Sequence, residues 1–254
     1  MEYHWYRFLV VVVVWLALAT LARAEEPRPA GPEDDPLGLR KTQVTIDLDE
    51  VSQRIQLQAT VIAKGEDTLT VLTAAHGLSP ADVGRSIRLH RGEAALTARL
   101  LRVARNPSYR PLPAAEIPGA DNAFALFRVT PGDEAEARFL RMLQPAQLAP
   151  LPLPDPDGQT IWVHVLDQKG AIRVLRAGNY SNPFLLEWGP SFQPIPGDSG
   201  SGVFVVRPGA DGRPRALLIG SVVVRTSRGG NASLIHNRLR WVAESLANRP
   251  ARGG

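Results

Sequence analysis

Three short segments of this chain carry side chains whose types suit acyl-transfer chemistry. The first is Leu72-Thr73-Ala74-Ala75-His76-Gly77, in which an apolar run ends in small residues and presents one imidazole. Imidazole is the side chain whose ordinary pKa best suits proton transfer near neutrality. The second is Asp121-Asn122-Ala123-Phe124-Ala125-Leu126, with one carboxylate at the head of an apolar strand pattern. A carboxylate in that place can take the Nδ1 hydrogen of a histidine and fix its tautomer. The third is Pro196-Gly197-Asp198-Ser199-Gly200-Ser201-Gly202, a serine crowded by glycines ahead of a strand pattern. Glycines let backbone N–H groups curl around a developing negative charge. Taken singly, each segment has an ordinary reading: a histidine satisfied in the fold, a turn aspartate, a plain loop.

The elements that must position these residues are short and β-rich. Ile55–Ala63 and Thr68–Thr73 flank the turn Lys64-Gly65-Glu66-Asp67 and read as a hairpin. Ser86–His90 with Ala94–Ala104 reads as the next pair, and Ala123–Val129 as a further strand. A proline-rich passage, Pro145 to Pro156, divides the chain. Thr160–Leu166, Ala171–Ala177, Phe184–Trp188, Gly202–Arg207 and Ala216–Arg225 follow as strands. Ile235, Leu239, Val242 and Leu246 share one helical face, so a single helix is expected over Ser233–Ala247, with Asn231 or Ser233 as its cap. Many short strands with one terminal helix predict an all-β fold of two packed antiparallel β-barrels. No internal sequence repeat is visible.

The N-terminal segment stands apart. Phe8–Leu21 is almost purely apolar, preceded by Arg7 and followed by Ala22-Arg23-Ala24, the pattern of a secretory signal peptide over residues 1–24. The run is shorter than the roughly 20 residues that span a bilayer, although Glu2 offsets Arg7 and leaves an uncleaved anchor as the alternative. Residues 25–42, acidic and proline-rich, are expected to be a disordered linker. The folded domain is then expected over residues 43–247, its N-terminal barrel over about 43–145 and its C-terminal barrel and helix over about 146–247. A secreted or periplasmic location follows, with membrane attachment only if the N-terminal run is retained.

Composition narrows the function. The chain has no cysteine, which excludes disulfides, thiol catalysis and thiolate metal sites. Its net charge of +4 is diffuse, with no zinc-finger spacing and no aromatic-basic interleaving, so no nucleic-acid partner is expected. His4, His90, His164 and His236 show no metal-pair spacing and read as structural; no metal or cofactor is expected. Trp162, Trp188 and Trp241 read as core or pocket wall.

Together the three segments resemble the chymotrypsin/trypsin-like serine peptidases, including the bacterial members of that superfamily. Thr73–His76, Asp121–Arg128 and Gly197–Gly200 match the family's Thr-Ala-Ala-His, Asp-Ile-Ala-Leu-Leu-Arg and Gly-Asp-Ser-Gly motifs, in the family's order. Asn106-Pro107-Ser108-Tyr109 and the terminal helix also sit where the family has such segments. The resemblance covers roughly residues 43–247. It implies a serine endopeptidase with a His76, Asp121 and Ser199 triad, an oxyanion hole from the backbone N–H groups of Gly197 and Ser199, an acyl-enzyme intermediate, and protein or peptide substrates. The alternative is a peptidase-fold binding protein without turnover.

The chain departs from the pattern in five ways. Asn122 replaces an aliphatic residue, and Gly202 replaces a proline. The Ile-Val-Gly-Gly type start of zymogen-derived enzymes is missing, so Asp198 is expected to find an internal donor in place of a freed α-amine. The pocket-floor position falls on Gln193, which argues against selection of Lys or Arg. Arg225, where the family often has glycine, is expected to narrow the pocket or favour an acidic group.

Overall fold

The computed structural model describes residues 35–49, 54–109, 121–149, 161–178, 185–226 and 229–234. The expected signal peptide, most of the expected terminal helix, His4, His236 and Trp241 lie outside them. Residues 35–42, assigned to the disordered linker from sequence, belong to the fold instead. Asp35 accepts the Leu39 and Arg40 amides at 2.8 Å each, closing a 3₁₀ turn over Leu39–Thr42. Leu39 is buried there, and Arg40 Nε donates to the Gly170 carbonyl at 2.8 Å. One apolar side chain and one long-range hydrogen bond thus outweigh the acidic, proline-rich composition that suggested disorder.

The first half contains β1 (Gln43–Asp49), β2 (Arg54–Lys64), β3 (Thr68–Thr73), β4 (Ser86–Arg91), β5 (Ala94–Arg105) and β6 (Ala123–Val129). They close into an antiparallel barrel in the order β1-β2-β3-β6-β5-β4. Alternation decides which face goes inward: Val44, Ile46 and Leu48 of β1 and Leu57, Ala59 and Val61 of β2 fill the barrel with Leu69, Leu100 and Phe127. The helix α1 (Glu134–Met142) follows and packs on β5. The sequence reading assigned no helix here, because its apolar stripe is only a turn or two long, buried at Phe139 and Leu143. The start signal was present: Asp133 caps the helix by accepting the Glu136 amide at 2.8 Å.

The second half contains β7 (Gln147–Leu148), β8 (Ile161–Leu166), β9 (Ile172–Gly178), β10 (Leu185–Trp188), β11 (Gly202–Pro208), β12 (Pro214–Thr226) and β13 (Gly229–Leu234). The β11–β12 pairing joins the ends of the run β11-β8-β9-β10-β13-β12 into a ring, and β7 adds a short parallel edge to β12. The circuit is that of the first barrel, first-second-third-sixth-fifth-fourth. The architecture therefore repeats although no sequence repeat is visible, because each half needs only alternation and turns to reproduce it. Ser233 and Leu234, expected to open the terminal helix, end β13 instead, with Ser233 opposite Leu185 and Ser221. Trp188 is buried and stacks on Phe192, whereas Trp162, expected in the core or a pocket wall, is 44% exposed on β8.

A third apolar cluster lies between the two barrels, formed by Leu39, Ile62, Leu72, Phe124, Phe204 and Leu218 among others. It fixes the seam in which the candidate residues meet. Two further histidines lie in the strands, His90 on β4 and His164 on β8. His90 Nε2 lies 3.1 Å from the buried Asp47 carboxylate. His164 on β8 has no partner for Nδ1 among the described residues, and burial holds its pKa below the usual imidazole value. The folded chain therefore prefers neutral His164. As pH falls from the ordinary value, about 6.5, through the lowered folded value, the unfolded chain takes up this proton first and stability is lost. Thermal melts between pH 8 and 5 should show a shallower acid decline for His164→Leu than for the parent, and identical slopes would refute the assignment.

Candidate active site

His76 is placed by the end of β3. Thr73 is buried and donates its hydroxyl to the Gln58 carbonyl at 2.7 Å; Ala74 and Ala75 are also buried, which accounts for their size. A 3₁₀ turn over Ala75–Gly77 then turns the imidazole outward, with 37% of its side chain exposed. β3 and β6 pair with Thr73 opposite Ala123, so extending that register by two residues sets Asp121 beside the 75–76 turn. The carboxylate uses both oxygens: Oδ1 accepts the His76 backbone N–H at 2.8 Å, and Oδ2 lies 2.6 Å from His76 Nδ1. With the carboxylate as the only acceptor of the pair, Nδ1 carries the hydrogen and Nε2 is left as the basic nitrogen.

Asn122, the first departure from the family pattern, ties the chain next to Asp121 to Asn106. It is fully buried, and its side-chain oxygen accepts from Asn106 Nδ2 at 3.0 Å while its carbonyl accepts the Asn106 amide at 2.9 Å. Asn106 Oδ1 in turn accepts the Ser108 amide. An aliphatic residue at 122 would leave the buried Asn106 amide group without that acceptor. Tyr109 closes the same loop under the Arg105 guanidinium, 5.0 Å from its ring centre. Burial pushes the Tyr109 phenol up, Asp121 adds to this, and Arg105 opposes it.

Ser199 is placed by contacts across the seam. Its carbonyl accepts the Gln58 amide of β2 at 2.8 Å, and the next residue, Gly200, donates to Val222 of β12 at 2.8 Å. Gly200 sits at φ 89°, and an added Cβ would lie 1.9 Å from the Gln58 carbonyl oxygen. Gly200→Ala is accordingly expected to lower unfolding stability by about 2–6 kcal/mol, from backbone strain and overpacking together. Urea unfolding at unchanged slope would measure it. The second departure, Gly202, has an equally local cause. A Cβ there would meet the Thr60 hydroxyl at 2.5 Å and the Phe204 ring at 2.7 Å, so the proline ring of the family pattern has no room.

Asp198 does find internal donors. It is 1% exposed; Oδ1 accepts the Gln168 amide at 2.9 Å and Oδ2 the Ile195 amide at 2.8 Å. Burial raises its pKa, and these two amides work against that rise. Gln168 and Ile195 carried no signal in the sequence, since a backbone N–H has no residue type. No acceptor among the described residues takes up the amide hydrogens of Gly197 and Ser199.

His76 and Ser199 line one cleft of about 580 Å³, with Gln56, Leu57, Gly77 and Gly197. Gln193 does not line it. It borders a separate depression of about 210 Å³ with Lys169, Arg173, Ser191 and Asp198. The Arg225 backbone is in β12 opposite Gly230, and its side chain lies outside the described residues.

The fold built from these elements is that of the chymotrypsin-like serine proteases. The chain superposes on a thermostable serine protease from an extremophilic microorganism with a TM-score of 0.57 at 11% identity, covering 83% of this chain and 100% of that one. A scabies mite inactivated protease paralogue gives 0.56 at 11% identity, over 85% and 99% of the two chains. Neuropsin, a serine protease of mouse brain, gives 0.55 at 14% identity, over 83% and 96%. No protein-family model matches the sequence, and no curated protein matches it.

Proposed function

We propose that this chain is a serine endopeptidase that hydrolyses peptide bonds through Ser199, His76 and Asp121. The observation that carries this reading is the doubly bonded His76–Asp121 pair, whose His76 lines the same cleft as Ser199. His76 Nε2 takes the Ser199 hydroxyl proton as Oγ attacks the scissile carbonyl, and Asp121 stabilises the imidazolium that results. The amides of Gly197 and Ser199 receive the oxyanion; in comparable sites loss of one such donor raises the barrier by about 3–4 kcal/mol. The tetrahedral intermediate collapses with transfer of the proton from Nε2 to the leaving amine nitrogen, which leaves an acyl-enzyme ester on Ser199. A water, deprotonated by His76, then attacks the ester, releases the acid and restores the serine. No step calls for a cofactor.

Asp198 supports activity without proteolytic activation. Its carboxylate already has two internal partners, so an α-amine released by cleavage has no role to fill. The cleft walls Ile55, Leu57 and Pro196 are apolar, and the described lining has no carboxylate to select Lys or Arg. The apolar segment Phe8–Leu21 and its Ala22-Arg23-Ala24 exit support export. A fluorophosphonate probe tests the reading: one adduct, mapped by peptide mass to Ser199, is the expected result. A folded protein that takes no adduct would return the chain to the alternative of a binding protein on a peptidase fold, and one fold neighbour is itself an inactivated paralogue.

A further inference from the structure

The loop that carries Ser199 is gripped at three points by one residue, Gln168, in the turn between β8 and β9. Its backbone N–H donates to Asp198 Oδ1 at 2.9 Å. Its side-chain Nε2 donates to the Pro196 carbonyl at 3.2 Å. Its Oε1 lies against Gly197, 2.5 Å from the place a Cβ would take. Gly197, at φ 101°, is thus the residue whose missing side chain admits Gln168. The partner also fixes the orientation of the side-chain amide, because a flipped amide would set Oε1 against the Pro196 carbonyl.

The turn that carries Gln168 is itself anchored. Asp167 is buried; its Oδ1 accepts the Lys169 and Ala171 amides at 3.0 and 2.9 Å, and its Oδ2 accepts the Arg173 guanidinium. From the 35–42 segment, Arg40 Nε donates to the Gly170 carbonyl at 2.8 Å. The Gln168 side chain therefore projects from a braced base, the condition for holding a neighbouring group in one orientation.

Pro196 and Gly197 line the cleft with Ser199, and Gln168 does not; it borders the depression beside Asp198. Gln168 thus meets the Pro196–Gly197 peptide from the side away from the cleft. In a trans peptide the C=O and N–H point in opposite directions. A carbonyl drawn toward Gln168 accordingly turns the Gly197 N–H toward the cleft. Building on the function proposed for Ser199, we infer that Gln168 is a positioning residue for the oxyanion hole. Its Nε2–Pro196 bond holds the peptide plane that aims the Gly197 amide at the developing charge. The bond is needed there because a glycine, with no Cβ to oppose rotation, leaves that plane free to turn.

Two variants test this. Gln168→Met keeps the length of the side chain and the backbone bond to Asp198 but removes the side-chain donor. Gln168→Lys restores an N–H donor at similar reach without the amide oxygen. The rate of fluorophosphonate labelling at Ser199 reads the oxyanion hole, because the phosphoryl oxygen must enter it. Carbethoxylation of His76 by diethyl pyrocarbonate, followed by peptide mass, reads the imidazole without using that hole. Gln168→Met is expected to label more slowly by about 3- to 100-fold, between the weight of one exposed hydrogen bond and that of a lost oxyanion donor. Gln168→Lys should recover most of the parent's rate, and His76 should react at the parent's rate in both variants. Labelling of Gln168→Met within about twofold of a labelled parent overturns the proposal and leaves Ser199 as the nucleophile. So does a rate that lysine does not restore, or a matching fall in the His76 reaction. A folded parent that takes no adduct overturns the proposed function, and the role of Gln168 with it.

Discussion

Ser199→Ala is expected to abolish fluorophosphonate labelling and to lower peptide hydrolysis by about 10⁴-fold or more, while leaving the fold intact. The reasoning is local. The loop around Ser199 is held by backbone groups: the Ser199 carbonyl on the Gln58 amide, the Gly200 amide on the Val222 carbonyl, the Ser201 amide on the Asp198 carbonyl. None of these uses the Ser199 hydroxyl. Removal of Oγ takes away the nucleophile and leaves the loop, the His76–Asp121 pair and the Gly197 and Ser199 amides in place. Such an enzyme retains only the rate contributed by binding and oxyanion stabilisation, about 10³–10⁴ over water in comparable sites. Unchanged melting temperature with lost labelling is the signature of a nucleophile. Labelling that persists at another residue would reassign the chemistry and leave Ser199 as a loop serine.

Most strands of both barrels, β1 and β13 excepted, could be read from the sequence because alternation and turn residues are local signals. The hairpin turning at Lys64–Asp67 and the strand Ala123–Val129 fall where period-two patterning puts them. His76, Asp121 and Ser199 stand out together as candidates because motif order is a property of the chain. Other features were not legible, for physical reasons that differ. The 35–42 turn is held by Leu39 and by the Arg40–Gly170 bond, contacts that composition does not register. The helix α1 buries too few side chains to show a stripe. Gln168 and Ile195 act through amides. Gln193, positioned by counting back from the serine, borders a depression apart from the cleft, because a count along the chain does not fix the path of the loop.

On the proposed function the Asp121 carboxylate, with both oxygens committed to His76, sets the imidazole tautomer on which proton transfer depends. Asp121→Asn keeps shape and volume and still offers one oxygen. If that oxygen takes the His76 backbone N–H, now met by Oδ1 at 2.8 Å, the new NH₂ faces Nδ1. Nδ1 must then act as acceptor, and the imidazole hydrogen moves to Nε2. The ring stays in place in the wrong tautomer, with no lone pair toward Ser199. Hydrolysis is expected to fall by about 10⁴-fold at neutral pH, mainly in kcat, with little change in KM. Fluorophosphonate labelling should slow in parallel, since it needs the same proton acceptor. The neighbouring Asn106–Asn122 bonds do not involve the substituted group, so the melting temperature should move by only a few degrees. Direct observation of the imidazole hydrogens by NMR would show the proton on Nδ1 in the parent and on Nε2 in the variant. A variant with full kcat would mean that Asp121 serves only to fix the 75–77 turn through the His76 amide.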